Sequence, residues 1–163
     1  MTLKEHIKES LSIHSFGHAY NDIYFFIIPL LLPFLRAEFN LSYTQAGFIL
    51  TLHVGLRSLF SYVSGHLGDC HDKRIIIAAG FFIASFSLAA LMWTNSIYGI
   101  IACFLLMAVG VAAFHPLATA LVGEAAHSKY RAFHIGLFET AGAMGIMVAT
   151  FTFGFLVEGW GWR

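Results

Sequence analysis

Charge is what this sequence has least of. Lys, Arg, Asp and Glu together make up 11% of its 163 residues, where a soluble domain carries about a quarter. The chain therefore falls in the membrane class. Nine basic residues balance nine acidic ones, and a zero net charge argues against nucleic acid as a partner. Cysteine is almost absent. Cys70 sits in a polar loop and Cys103 in an apolar run, so neither a disulfide nor a zinc site is suggested. The start, MTLKEHIKESLSIHS, is polar and leads into no short apolar core with an A-x-A-like site, so no cleavable signal peptide is expected. Linkers are missing as well. The connections RAEFNLSYTQ, GDCHDKR, TNS and GEAAHSKYRA are short, and the whole of 1–163 is expected to form a single transmembrane domain.

Apolar residues fill the rest, at 58%. A helix needs about 20 of them to cross the hydrocarbon, and five stretches qualify: about 16–35, 46–67, 75–93, 97–121 and 133–157. They lack the alternation of barrel strands, and lipid leaves backbone groups no partner outside a helix, so an all-α membrane protein is expected. Before the first span, Leu3, Ile7 and Leu11 recur every four residues among Lys4, Glu5, Lys8 and Glu9. That pattern predicts a short amphipathic helix on the membrane surface. Small residues gather late: Gly110, Ala112, Ala113 and Ala118 in the fourth span, and Gly136, Gly142, Gly145 and Gly154 in the fifth. They predict close helix packing. The N-terminal segment and the second and fourth connections hold Lys4, Lys8, Lys73, Arg74, Lys129 and Arg131, against Arg36 and Arg163 on the other side. That asymmetry predicts a cytoplasmic N-terminus and an external C-terminus.

Polar residues inside the spans are costly and mark function by default. In the first, His14, His18 and Asp22 follow one another at intervals of four and form a stripe, with Asn21 beside it. Burial penalises a charged Asp and a neighbouring cation relieves the penalty. Facing a wet cavity, such a carboxylate can carry a proton through a transport cycle. Otherwise it reaches the interface from near the helix end. Arg57, one turn after His53, offers a planar fork of donors for a substrate anion or an internal ion pair with Asp22 or Glu139. Glu139 is a second candidate proton site. His115 precedes Pro116, which permits a bend; the imidazole can contact the cavity or satisfy the carbonyl that the proline frees. Pro29 and Pro33 are expected to bend the first span in the same way. The stretch HLGDCHD collects His66, Asp69, Cys70, His71 and Asp72, but at no structural zinc spacing. No metal and no cofactor are expected, and no catalytic constellation points to an enzyme.

The loop GHLGDCHDKR between spans two and three resembles the G-x-L-[AG]-D-[RK]-x-G-[RK]-[RK] signature of the major facilitator superfamily, through Gly65, Leu67, Gly68, Asp69, Lys73 and Arg74. Cys70 and Asp72 stand where that signature has a basic residue and a glycine. GHAYNDIYFFIIPLLLPFL, LSYTQAGFI and GVAAFHPLA are similar to the first, second and fourth spans of the fosmidomycin-resistance-like branch, and EGWGWR to the lead into a sixth helix. The resemblance implies an incomplete N-terminal half of a twelve-helix transporter, with substrate bound between the halves. It makes Asp69 part of a cytoplasmic gate with Gly65, Lys73 and Arg74. It also implies proton-coupled, antiporter-like efflux of small organic molecules, as in antibiotic resistance, across a bacterial-type inner membrane. His18, Asp22, Arg57, His115 and Glu139 would then serve proton coupling or the substrate cavity. Two family features are absent: the arginine of the fourth span, replaced around Leu106 and Met107, and the Gly-Pro pair of the fifth. Uptake of a metabolite is the alternative direction. A truncated membrane protein without transport of its own, or one awaiting a separately encoded C-terminal remainder, is the alternative class. The expected partners are the small-molecule substrate, protons and the bilayer.

Overall fold

A computed structural model describes residues 3–162, with side chains from residue 11 onward. Six α-helices follow in order: α1 Leu3–Glu38, α2 Tyr43–Cys70, α3 Lys73–Ala90, α4 Ile97–Ala112, α5 Phe114–Ala125 and α6 Arg131–Trp160. A 3-10 turn, Leu91–Trp93, extends α3, and another, Ser128–Tyr130, precedes α6. Five stretches are long and apolar enough to cross a membrane: Leu11–Glu38, Tyr43–Cys70, Lys73–Trp93, Ile97–Ala125 and Ser128–Trp160. These are the five predicted spans, each extended at one or both ends.

One predicted detail changes, and the bend expected at Pro116 is sharper than the sequence required. The N-terminal segment is no separate surface helix, because α1 runs unbroken from Leu3 through Pro29 and Pro33. At about 1.5 Å per residue its 36 residues reach about 54 Å, well beyond one hydrocarbon core. The fourth span is broken instead. Ala113 ends α4 and begins α5 with a helical backbone, φ −71° and ψ −24°. Pro116, three residues on, cannot donate to the Ala112 carbonyl and its ring crowds that oxygen, which accounts for the interruption.

The turns are set by local chemistry. Asn40 takes the left-handed φ of 51° that ends α1, a conformation asparagine tolerates better than most residues. Ser42 and Gln45 form a reciprocal capping box at the start of α2, with bonds of 3.2 and 2.8 Å. Asp72 caps α3 by accepting the Arg74 amide at 2.9 Å.

Packing places α1 and the broken α4–α5 pair at the centre. Half of the most apolar window of Ile97–Ala125 is buried and 39% of that of Leu11–Glu38, against 17% for each of the other three spans. The larger core joins Ile28 and Leu35 of α1, Ile49 of α2, Ala84 of α3, and Phe104 and Met107 of α4. A smaller one joins Phe114, Ala118 and Val122 of α5 to Phe138 of α6. Glycine sets the closest approaches. A methyl at Gly80 would strike the Gly110 carbonyl across α3–α4, and one at Gly145 would strike the Ala19 backbone across α6–α1. Gly136 and Gly154, predicted to pack, face open space. Outward-facing Phe82, Phe86, Phe151 and Phe155 are 61–75% exposed, as hydrocarbon contact requires.

Candidate functional site

Asp22 lies near the middle of the span Leu11–Glu38, further from the end than the sequence suggested. The four-residue spacing brings His18 over it, with Nε2 3.4 Å from Asp22 Oδ2. The second imidazole comes from the α4–α5 break: His115 Nε2 is 3.1 Å from Asp22 Oδ1. His115 thus serves the carboxyl group rather than the carbonyl freed by Pro116. On this line either the imidazole donates to a carboxylate or a carboxyl O–H donates to the ring, so the two groups share a single proton.

The α6 helix fixes His18. Its Nδ1 donates to the Phe138 carbonyl at 2.8 Å, since a carbonyl can only accept. The ring stacks on Phe138, with centroids 4.2 Å apart and planes at 28°, and meets His115 edge-on at 4.7 Å. Nε2 of His18 is thereby aimed at Asp22. His18 is 1% exposed, whereas the side chains of Asp22 and His115 keep 13% and 31%, so the cluster opens on the His115 side. Asn21, fully buried, donates Nδ2 to Asp22 Oδ1 at 3.3 Å and leaves its own Oδ1 without a partner. His14, a turn earlier on the stripe, is half-buried and is not among the three ligand-bearing groups that converge here.

Arg57 does not form the ion pair the sequence offered. Its guanidinium lies over the Phe25 ring at 4.3 Å, a cation–π contact, and it meets Asp22 only through the longer-range field. Below it on α2, His53 is fully buried, donates Nδ1 to the Phe104 carbonyl at 2.9 Å, and has no partner at Nε2. Glu139 follows Phe138 but is exposed, outside the cluster. Between α1 and α3, Tyr24 links Tyr20 at 2.7 Å with Ser85 at 3.1 Å, a polar contact no sequence spacing announced.

At the loop between α2 and α3, Asp69 is exposed in the last turn of α2 and Arg74 in the first of α3. Lys73 forms an ion pair of 3.1 Å with Glu124 near the end of α5. Gly68 lets α2 close on Leu117 of α5, while a methyl added at Gly65 would meet Pro116 at 3.9 Å, an ordinary contact. Sequence reasoning missed Glu124 altogether and named Gly142 only as a packing glycine, without its place beside His18 and Asp22. A methyl on Gly142 would fall 2.6 Å from His18 Nε2 and 2.7 Å from Asp22 Oδ2, so its missing side chain leaves the gap between these atoms open. Sequence offers no signal for which of four glycines in one helix meets a particular pair of atoms.

Comparison with known proteins agrees with this architecture. A sequence model of the Major Facilitator Superfamily matches residues 15–163. A riboflavin transporter of Clostridioides difficile is 32% identical over 91 residues, which is 53% of this chain and 20% of that protein. An uncharacterised MFS-type transporter of Methanocaldococcus jannaschii is 27% identical over 123 residues, 74% of this chain and 31% of its own length. A cis,cis-muconate transport protein of Acinetobacter baylyi is 25% identical over 131 residues, covering 79% and 31% respectively. The chain spans between a fifth and a third of the length of these relatives.

Proposed function

The chain belongs to the major facilitator superfamily, and from that membership we propose that it forms the N-terminal part of a proton-coupled transporter of small organic molecules. One observation carries the proton reading. Asp22, near mid-span, shares a hydrogen bond of 3.1 Å with His115, whose helix begins at a break. A carboxyl group and an imidazole at that distance pass a proton between them with little motion. A shift of α5 relative to α1 would lengthen the bond and leave the proton on one partner. Asp22 and His115 exchange the proton with a cavity, His18 steadies the carboxylate, and Arg57 contacts substrate.

Antiporter-like export across a bacterial-type inner membrane is the direction we favour, following the fosmidomycin-resistance-like resemblance. Uptake of a metabolite is the second reading; the riboflavin and muconate carriers among the relatives support a metabolite as substrate. Asp69 with Gly65, Lys73 and Arg74 forms the cytoplasmic gate, its closure supported by the ion pair from Lys73 to Glu124. Glu139, exposed on α6, is a contact for a C-terminal remainder or for the proton path. The substrate site is completed by that remainder, since this chain accounts for less than a third of each of these carriers.

The test is substrate-dependent proton flux in vesicles, comparing the chain alone with the chain joined to a C-terminal remainder. Asp22→Asn in the joined protein is expected to insert normally and lose coupling, because Asn preserves size but not the exchangeable proton. Undiminished coupled flux in that variant refutes the proton assignment. The sign of substrate movement under an imposed pH gradient separates export from uptake.

A further inference from the structure

We propose that His18, Asp22 and His115 form a binding site for a borderline divalent transition-metal ion of the zinc class. The three ligand atoms all lie within 4.8 Å of one another. Two atoms sharing a tetrahedral zinc at 2.0–2.1 Å stand about 3.3 Å apart; His18 Nε2 stands 3.4 Å from Asp22 Oδ2 and His115 Nε2 3.1 Å from Asp22 Oδ1, so each carboxylate oxygen faces one imidazole. Two imidazoles with one carboxylate select zinc, cobalt or nickel over calcium or magnesium, which prefer oxygen.

Two further features fit an ion. The Nδ1 of His18 donates to the Phe138 carbonyl at 2.8 Å, and a metal-ligating histidine is normally held this way, with its other nitrogen free for the ion. Gly142 then keeps the gap clear, since a Cβ there would lie 2.6 and 2.7 Å from the two ligand atoms that would share the ion. Buried Asn21 stands beside Asp22 with its Oδ1 unpartnered. Three protein ligands leave a fourth position to water, the arrangement of an exchangeable site rather than a closed structural one. Partial exposure of His115 gives the ion a way in. The loop histidines and Cys70 do not converge in this way: among the described residues this is the group that does.

The inference uses the residues of the proton reading but is measured without transport, so either can fail alone. The full chain, purified in detergent and carrying His66→Gln, Cys70→Ser and His71→Gln to silence the loop, is titrated with Zn2+ by calorimetry and with Co2+ by absorption. Saturable binding of one ion is expected, with a four-coordinate cobalt spectrum lacking thiolate charge-transfer bands. His115→Gln, which alters a partly exposed side chain, and Gly142→Ala should each weaken Zn2+ binding at least about tenfold, with helical content unchanged. Absence of saturable binding in the loop-silenced protein overturns the site. So does undiminished affinity in a folded His115→Gln protein. Should the variants lose their fold, the cobalt spectrum of the parent decides alone, because six oxygen ligands give a weak octahedral spectrum.

Discussion

Asp22 has two imidazoles at 3.1 and 3.4 Å, while Arg57 rests on the face of Phe25. Which of these neighbours stabilises the carboxylate is measurable. Asp22→Asn combined with His115→Gln is expected to show a coupling energy of about 0.5–3 kcal/mol, as for residues in direct contact. Asp22→Asn combined with Arg57→Gln should be additive within about 0.5 kcal/mol. Melting of the single and double variants in detergent, beside the parent, gives both cycles. A larger coupling to Arg57 than to His115 would restore the ion pair that the sequence allowed. The stripe of His18 and Asp22 was legible because one helix writes it at intervals of four. That His115 closes on it from 93 residues away depends on how α5 packs. The role of Gly142 was not legible at all, because a glycine's importance lies in what stands opposite.

For helices, length and apolarity suffice to find the spans, since the bilayer sets both. The pairing of those helices is a different matter and turns on which small residues meet. Gly145 packs against the Ala19 backbone, while at Gly154, further along the same helix, an added methyl would have nothing within 4 Å. Gly145→Ala must therefore push α6 away from α1 and is expected to cost about 1–3 kcal/mol. Gly154→Ala should be neutral or gain up to about 1 kcal/mol through helix propensity. Thermal melts of the two variants check the contrast, and equal destabilisation would mean that α6 is not seated on α1 by this face. Composition identified both glycines as packing residues and could not tell them apart, because α6 is apolar nearly all round and has no sided pattern to read. The break at Ala113 was better marked, since Pro116 carries its own backbone signature. The caps at Ser42 and Asp72 also lie in the local sequence, but their chemistry becomes visible only with the helix starts in place.

Across the whole molecule, the arrangement of five spans leaves one question that charge alone addresses: which end faces the cytoplasm. Lys73 and Arg74 lie at the junction of α2 and α3, and Lys129 and Arg131 at that of α5 and α6. These junctions are on one side of the bundle, because α2 and the α4–α5 pair each end there after crossing from the other. Arg36 marks the opposite side, where its guanidinium lies over Tyr43 at 3.7 Å. By the positive-inside rule the former junctions are expected on the cytoplasmic side. Cys70 reports on the assignment directly, being free and exposed at the end of α2. Cys103 is only partly accessible within α4, and replacing it with alanine leaves Cys70 as the chain's single thiol. In intact cells a membrane-impermeant maleimide is expected to leave that thiol unmodified, and the same reagent should label it once the membrane is opened. Ready labelling before permeabilisation would invert the topology. It would also move Asp69, Lys73 and the partner Glu124 to the outer face, so the cytoplasmic gate would fall with the orientation. The contacts among His18, Asp22 and His115 would survive that inversion, because they depend on helix packing and not on which side the helices begin.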